Sequence, residues 1–459
     1  MTVRWRPGYS RRDLLRAGAA AIVSSSAIGG PASRGVTRAQ GTPAAAASDF
    51  DWKRYAGEQI DVLLALSPRS DLLVQHQPEF EELTGITVNA DVVPEQQQRQ
   101  KQVIEFTSGN PSFDVTAVSW HVQKGLFGKG GFLLDLRDFL NDPEMTAPGY
   151  DWDDFSQAAI AFATQPDGRI DTLPYNIDYW ILYWNKELFA QKNVAFPTTF
   201  DEMLAAAETL NDPDNGIYGF VARGLKNANT PVWTSFMQGW DAKPVDDEGQ
   251  LHTTDEPAVA AATLYQNLLA NYAPPGVSGF NWNECQTTFS QGTAAMWFDG
   301  IGFATPLEDP AKSMVVGKVG YGLQPAGPVA QHSGTFGDGL GISAQTDKQG
   351  PAYFYCQWAT NKENQARILA AGAGAPARNS AYTNEEALAN LTVPQEWVDT
   401  LIASGKIGLP SLPQIVPVTE FRDIFGIALT NMITGADPKQ ELEAATEQFR
   451  PILEQSLRS

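Results

Sequence analysis

Apolar residues occupy both faces of one long segment in the middle of the chain. Residues 173–185 read LPYNIDYWILYWN, and alternate positions on the two faces hold Ile177, Tyr179, Ile181 and Tyr183 against Asp178, Trp180, Leu182 and Trp184. This alternation predicts a strand that is covered on both sides, as in an α/β sheet. Asp178 is the only charged residue of the segment, so its role needs a separate explanation.

Shorter segments of strand and helix alternate before this strand. Strands are predicted at 59–66, 86–93 and 113–119, with helices at 72–84 and 95–109 between them and a short amphipathic segment at 132–140. A glycine follows the first helix and ends the second, as expected for helix termini. The strand–helix–strand order predicts a parallel, doubly wound sheet.

Helix-start signals mark three helices in the second half of the chain. Thr199 followed by Glu202 forms a capping box, Asp255 precedes a helical pattern that ends at residue 272, and Asp437 precedes the last helix. The last helix carries an apolar stripe at helical spacing, which we assign to the core: Leu442, Ala445, Phe449 and Leu453.

The first 48 residues resemble an export signal with an Ala-rich linker. Arg11 and Arg12 precede a weakly apolar run over 17–30, which resembles the twin-arginine pattern, although Leu14 and Arg16 depart from it. A tail with an accidental arginine pair is the alternative. No cysteine lies near the cleavage region, and no apolar run of about 18 residues follows. We therefore expect a soluble periplasmic protein without a lipid anchor.

The charge balance excludes several partners. Removing residues 1–47 takes away seven Arg and one Asp, so Lys plus Arg falls from 32 to 25, Asp plus Glu from 53 to 52, and the net charge from −21 to −27. Such a surface repels nucleic acid and anionic membranes. The remaining length of roughly 410 residues predicts two or three domains.

Motifs for catalysis and metal binding are absent from the sequence. Cys285 and Cys356 give neither a disulfide framework nor a zinc spacing, and the four histidines form no metal motif. The sequence contains no G-x-S-x-G, no P-loop and no dinucleotide-binding glycine motif after a strand. We expect no catalytic residues, no metal and no cofactor.

Four sequence blocks, in a fixed order, carry a family resemblance. The blocks are residues 108–140, residues 171–210 with Leu-Pro-Tyr and Pro-Thr-Thr, residues 288–300 (TFSQGTAAMWFDG), and the pair 337–343 and 374–380. Together they resemble the extracellular (periplasmic) solute-binding protein family 1, the carbohydrate-binding component of ABC importers, across almost the whole mature chain.

The resemblance implies an α/β fold of the type II periplasmic-binding-protein kind, with two lobes, a doubly wound sheet in each lobe and a ligand cleft at the hinge. It assigns residues 49–175 and 338–378 to lobe 1, and 176–337 and 379–459 to lobe 2. The strand at 173–185 then crosses between the lobes, and Asp178 faces the cleft. A bond between the two cysteines would join the lobes and oppose closure, so both are expected to be free thiols.

The ligand chemistry selects the candidate site residues. A polyhydroxyl ligand offers C–H faces to aromatic rings and hydroxyl groups to charged and amide side chains. Each candidate also has a structural alternative, such as core packing for a Trp or a turn position for an Asp before Gly. The predicted ligand-binding residues are Asp71, Gln96, Trp120, Tyr175, Asn176, Asp178, Trp240, Trp282, Asp299, Gly337, Asp338 and Arg378.

Three functions fit these observations. The first, which we predict, is a monomeric binding protein that captures a neutral sugar or polyol by hinge closure and delivers it to the membrane permease subunits of an ABC importer. The second is a periplasmic carbohydrate-active hydrolase with two carboxylates around the scissile bond. The third is a binding protein for a non-sugar solute, such as a polyamine or a phosphate ester. Few basic residues in the expected rim segments disfavour a phosphate ester.

Overall fold

Strands and helices alternate from the first residues of the described chain. The computed structural model describes residues 50–246 and 248–458. The export signal predicted over residues 1–48 lies outside the described residues, and the described residues form one compact unit. Within the described residues, no helix has both the length and the apolar character needed to cross a membrane.

The strands of the described residues belong to one connected sheet. Their order is β2-β1-β3-β7-β4-β5, with β6 and β8 beside β4 and β9 beside β7, and their bounds are β1 (Gln59–Ala65), β2 (Thr87–Val93), β3 (Val115–Ser119), β4 (Leu173–Asn185), β5 (Met296–Gly300), β6 (Val319–Leu323), β7 (Ser333–Ile342), β8 (Ala375–Pro376) and β9 (Gly408–Pro410).

Helices cover the strands of this sheet. Those in the described residues are α1 (Pro68–Thr84), α2 (Glu95–Ser108), α3 (Trp120–Gly130), α4 (Arg137–Asn141), α5 (Gln157–Ala163), α6 (Lys186–Lys192), α7 (Phe200–Leu210), α8 (Thr230–Met237), α9 (Glu256–Tyr272), α10 (Trp282–Ser290), α11 (Gln349–Ala359), α12 (Lys362–Ala370), α13 (Glu385–Ala389), α14 (Gln395–Lys406), α15 (Val418–Ile433) and α16 (Pro438–Arg458).

The first three strands form the predicted parallel sheet. β1 pairs in parallel with β2 on one side and with β3 on the other. Their carboxyl ends, at Ala65, Val93 and Ser119, therefore lie along one edge, and a helix begins within a few residues of each. β7 extends the sheet in the antiparallel direction beside β3.

The strand predicted over residues 173–185 is observed as β4, and only Trp184 among its thirteen residues is not fully buried. Its first half, from Leu173 to Tyr179, pairs with β7. Its second half, from Trp180 to Asn185, pairs with β5 and β6. β4 therefore connects two groups of strands, and its apolar character on both faces follows from the cover that each group receives.

Two of the three predicted helix caps are confirmed. Thr199 forms the capping box at the start of α7, and the Oδ1 of Asp437 accepts a hydrogen bond of 2.9 Å from the Gln440 amide at the start of α16. Asp255 precedes α9 as predicted, but it makes no capping bond. Its carboxylate pairs instead with Nδ1 of His252 at 2.8 Å.

Helix α1 begins four residues earlier than predicted, at Pro68 rather than at residue 72. The Oγ of Ser67 accepts a hydrogen bond of 3.2 Å from the Ser70 amide, and a proline is well suited to the first helical position. The earlier start places Arg69 and Ser70 in the first helical turn, directly after the carboxyl end of β1.

The two cysteines are buried, free thiols, as predicted. Cys285 lies in α10 and Cys356 lies in α11. Burial raises the pKa of both thiols above their ordinary value, because a thiolate loses its hydration inside the protein.

Candidate functional site

A cavity lies at the edge where the three parallel strands end, which is where open α/β sheets bind ligands. One side is built from the segments that follow β1, β2 and β3, and the opposite side from residues beyond β4. The lining includes Ser67, Arg69, Ser70, Glu95, Gln98, Arg99, Ser119, His121, Tyr175, Trp180, Arg223, Pro231, Trp282, Phe303, Phe336, Asp338 and Ser411.

Helix starts direct polar side chains into this cavity. The first turn of α1 contributes Arg69, the start of α2 contributes Glu95 and, one turn later, Arg99, and the start of α3 contributes His121. Because each helix begins just beyond a strand end, its first-turn side chains lie over the edge of the sheet.

Aromatic rings cover the other wall. Trp282 stacks on Phe303 with ring centroids 4.8 Å apart and planes inclined by 6°. Trp180 lies 6.0 Å from Phe336, with a tilt of 55°. These rings offer flat apolar faces that suit the C–H surface of a small ligand.

Each arginine of the lining is paired with a carboxylate. Arg69 Nη2 donates to Asp338 Oδ2 at 3.2 Å, and its Nη1 lies 3.6 Å from Asp178 Oδ2. Arg223 Nε donates to both carboxylate oxygens of Asp299, at 3.1 and 3.0 Å. Arg99 forms an ion pair with Glu95, which is four residues before it on α2.

Burial and the neighbouring charges together set the direction in which the pKa of each carboxylate shifts. Burial raises the pKa of Asp178 to about 6, although Arg69 and two backbone amides oppose the shift. Burial also raises the pKa of Asp338, again against Arg69. Burial would raise the pKa of Glu95 as well, but the nearby arginines, Arg99 foremost, outweigh it and lower that pKa.

His121 is neutral at neutral pH in this site. Its burial, together with the positive charges of Arg99, Arg422 and Arg223, lowers its pKa well below the ordinary value. A neutral imidazole can donate at one ring nitrogen and accept at the other, so it suits a hydroxyl group.

Several buried polar atoms of the lining have no hydrogen-bond partner among the described residues. They are Arg69 Nε, Arg99 Nε, His121 Nδ1, Tyr175 Oη, Trp180 Nε1 and Ser411 Oγ. Buried polar groups are normally satisfied by protein or by a bound molecule. This concentration of unsatisfied atoms around one cavity indicates a site that receives hydrogen bonds from a ligand or from water.

Five of the twelve predicted site residues lie at or directly behind the cavity. Tyr175, Trp282 and Asp338 line it. Asp178 and Asp299 are fully buried and hold Arg69 and Arg223 from behind. Their place in the structure is therefore to orient the arginines that line the cavity.

Arg378 and Trp120 are placed away from the cavity. Arg378 is completely buried, donates from Nε to the Thr360 carbonyl at 2.7 Å and contacts Asp154 at 3.4 Å, so the prediction that it reaches the cleft is wrong. Trp120 is buried, and its indole N–H donates to Thr172 Oγ1 at 2.9 Å. Both side chains are used for packing inside the protein.

The remaining predicted residues also lie outside the cavity lining. Asp71 and Gln96 are solvent-exposed, and Trp240 packs on Phe200 with ring centroids 5.7 Å apart. Asn176 is fully buried within β4, with both side-chain amide atoms unsatisfied. A Cβ at position 337 would lie 2.5 Å from the Asn176 carbonyl oxygen, so Gly337 allows the close packing of two neighbouring strands.

The sequence did not predict that arginines line the cavity. The expectation of few basic residues near the ligand is corrected by Arg69, Arg99 and Arg223, which lie far apart in the chain but line the same cavity. Ser67 and Pro68, a capping serine followed by a proline, could have predicted that α1 begins early enough to include Arg69. Nothing in the local sequence around Arg223 indicates that it lines the cavity at the ends of β1, β2 and β3.

Comparisons with known proteins agree with the resemblance. A family model described as bacterial extracellular solute-binding protein matches residues 67–366. The erythritol/L-threitol-binding protein of Mycolicibacterium smegmatis is 25% identical over 474 aligned residues, which cover 95% of each chain. The sn-glycerol-3-phosphate-binding periplasmic protein of Rhizobium meliloti is 25% identical, over 88% of this chain and 93% of its own.

A solved structure has the same fold. The ABC transporter solute-binding protein of Agrobacterium radiobacter K84, crystallised in complex with ribitol, superposes with a TM-score of 0.79 at 25% identity, over 86% of this chain and 99% of its own. This likeness confirms the predicted fold class, a two-lobe α/β fold of type II.

Proposed function

Because this chain belongs to the family of bacterial extracellular solute-binding proteins, we propose that it is the substrate-binding protein of an ABC importer and that it captures a neutral polyol or sugar by hinge closure. The observation that carries the proposal is the cavity at the ends of β1, β2 and β3, where aromatic faces, carboxylate-paired arginines and unsatisfied buried donors meet. The relatives that bind erythritol or threitol and ribitol support the choice of a polyol.

The cavity chemistry matches a polyol group by group. The stacked Trp282 and Phe303 supply a flat surface for carbon atoms. Arg69 and Arg99 supply N–H donors for hydroxyl oxygens, and Asp338 supplies an acceptor for hydroxyl protons. Hydrogen bonds to charged groups are the stronger kind, at about 1.5–3 kcal/mol each.

The size of the cavity favours a small ligand. The centres of water-sized molecules can occupy about 70 Å³ of it. A short alditol suits such a volume better than an oligosaccharide does.

In the proposed hinge motion, the two lobes close about β4 and β7, the strands that connect them. We assign residues 49–175 and 338–378 to lobe 1, and 176–337 and 379–459 to lobe 2, with β4 and β7 between them. Arg69 on α1 contacts Asp178 of β4 and Asp338 of β7, so a lobe 1 side chain is tied to both connecting strands. Small backbone changes in these strands would then open and close the cleft.

The two alternative functions are less well supported. Proteins of this family bind solutes and are not enzymes, and the buried carboxylates Asp178 and Asp299 are engaged by arginines. A polyamine would meet the positive charges of Arg69, Arg99 and Arg223 in the lining.

Ligand screening tests the proposal. Purified protein is mixed with erythritol, ribitol, mannitol, maltose and spermidine, and unfolding is followed by thermal shift before titration calorimetry. A ligand at 100 times its Kd adds about 2.7 kcal/mol to the free energy of unfolding. We expect stabilisation by at least one alditol, which is recovered chemically unchanged. Stabilisation by spermidine alone, or turnover of a carbohydrate, would contradict the proposal.

A Trp282→Ala variant tests the site. Loss of the stacked ring is expected to weaken polyol binding by about tenfold or more, which corresponds to about 1.4 kcal/mol. Trp152→Ala is the matched control, because Trp152 is also half-buried and packs on Phe155 at 5.4 Å, away from the cavity lining. Equal affinities of the two variants would locate the ligand elsewhere.

We further propose that residues 1–48 direct twin-arginine export and that the mature protein works in the periplasm. The basic pair Arg11–Arg12 and the apolar run over 17–30 support this proposal, as does membership of an extracellular family. Replacing both arginines by lysine is expected to retain the protein in the cytoplasm. N-terminal sequencing of the exported form should begin between Ala39 and Ala47, and unchanged export of the variant would refute this route.

A further inference from the structure

One acidic side chain of the cavity, Glu95, is surrounded by arginines. Arg99 contacts it directly, and Arg69 and Arg223 line the same cavity. Arg422 on α15 is buried, and its charge also acts on Glu95 and Arg99. About a quarter of the Glu95 side chain remains exposed, at 27%, so a ligand in the cavity can meet it.

The other arginines do not all depend on Glu95. Arg69 is held by Asp338 and Asp178, and Arg223 by Asp299. Arg99 has only Glu95 as a carboxylate partner, and Arg422 forms no ion pair within the described residues, its Nε donating to the Asn227 carbonyl at 3.0 Å. Glu95 is therefore the carboxylate that balances the charge of Arg99 in the cavity lining.

The titration of Arg422 agrees with an excess of positive charge at this point. Burial and, after it, the neighbouring charge of Arg99 lower its pKa to about 9, whereas the charges of Glu95 and Asp423 oppose this shift. Removing the Glu95 charge would leave the Arg99 guanidinium in the cavity lining without its ion-pair partner. A guanidinium group placed in this way binds a carboxylate or a phosphate strongly.

We propose that Glu95 is the residue that makes the cavity selective for neutral polyols over phosphorylated or acidic ones, because its carboxylate occupies the position beside Arg99 that a ligand anion would take. This inference rests on the proposed function, since it specifies the ligand class of the same site. An anionic ligand would bring a second negative charge against Glu95, and like charges that meet in an interface repel each other and weaken binding. A relative that binds sn-glycerol 3-phosphate is similar over most of the chain, so the same fold accommodates both ligand classes.

The test compares Glu95→Gln with the wild-type protein. Glutamine keeps the size and hydrogen-bonding atoms of the side chain but removes its charge. Titration calorimetry uses ribitol and sn-glycerol 3-phosphate at low and moderate salt. We expect the wild type to bind ribitol at least about tenfold more tightly than the phosphate ester, and the variant to gain about tenfold or more for the phosphate ester. The gain should shrink as salt rises.

Two further variants separate charge from shape. Glu95→Asp keeps the charge and is expected to reject the phosphate ester as the wild type does. Glu82→Gln removes a solvent-exposed carboxylate elsewhere on lobe 1 and is the control for net charge alone. A urea unfolding curve for each variant establishes that it is folded.

A separate arm uses inorganic phosphate and does not require a polyol. Phosphate is expected to raise the melting temperature of Glu95→Gln and to leave those of the wild type and Glu95→Asp unchanged. Wild-type affinity for sn-glycerol 3-phosphate equal to that for ribitol, or a folded Glu95→Gln that gains neither phosphate nor the ester, overturns the role of Glu95. Failure of every neutral ligand to bind any variant refutes the proposed function instead, and the phosphate arm then still decides whether Glu95 acts as the built-in anion.

Discussion

The ion pair between Arg223 and Asp299 allows the sharpest test of how the cavity is built. Asp299 is completely buried, and only 12% of the Arg223 side chain is exposed. The carboxylate accepts from Arg223 Nε at 3.0 and 3.1 Å, from the Gly300 amide at 2.7 Å and from the Trp297 indole at 3.3 Å. Arg223 also lies over the Trp180 ring at 5.0 Å. The perturbation is Asp299→Asn.

Asparagine fills the same space and can still accept from Gly300, but it leaves the guanidinium of Arg223 without its ion-pair partner. Breaking a buried pair at one partner costs about 3–5 kcal/mol, and the partial exposure of Arg223 to the cavity favours the lower end, about 3 kcal/mol. The entropy of unfolding for roughly 400 residues is about 0.8 kcal/mol per degree, so the melting temperature should fall by about 4 °C.

A double-mutant cycle tests this reasoning. Urea unfolding of ligand-free protein is measured for Asp299→Asn, for Arg223→Met and for the double variant. The double variant should recover about 2 kcal/mol relative to the sum of the single variants, because both charges are then absent. The double variant should nevertheless bind polyol more weakly than the wild type, because the Arg223 donor is lost. A stability change for Asp299→Asn below about 0.5 kcal/mol, or simple additivity, would refute the reasoning.

Three further predictions concern stability and reactivity. Burial raises the pKa of Asp171 to about 6 from 3.8, so its stabilising contribution is present below about pH 3.8 and is lost as pH rises through 6. The free energy of unfolding of Asp171→Asn, measured in urea, should therefore rise by about 1–2 kcal/mol relative to that of the wild type between pH 5 and pH 7.5. Parallel pH curves for the two proteins would contradict this. Thr199→Ala removes the capping box of α7 and should cost about 1 kcal/mol without changing ligand affinity; an unchanged urea midpoint would contradict it. Thiol titration should find no reactive cysteine in the native protein and two after denaturation, whereas none after non-reducing denaturation would indicate a disulfide.

The elements of the fold were largely predictable because their signals are local. The alternation over residues 173–185 gave β4, and the order of the first strands and helices gave the parallel sheet. The box of Thr199 and Glu202 marked the start of α7. Each of these signals depends on residues within a few positions of one another, so no knowledge of the rest of the chain was needed.

The errors at the site arose where the same residue type serves either packing or binding. Trp120 and Trp282 both begin a helix, yet one is buried against Thr172 and the other lines the cavity. Arg378 was expected in the cleft but is held by Asp154 and backbone carbonyls inside the protein. Sequence alone does not give the direction of a side chain relative to a distant element.

By itself, the sequence determined the α/β class, the family, the positions of most strands and helices and the likeness to polyol- and sugar-binding proteins. Only the tertiary structure decided which side chains form the site. Arg69, Arg99 and Arg223 come together around Glu95 because the sheet aligns strand ends that are far apart in the chain, while buried acids such as Asp299 fix where each guanidinium points. Strand order and long-range ion pairing set that arrangement, and neither leaves a pattern in neighbouring residues.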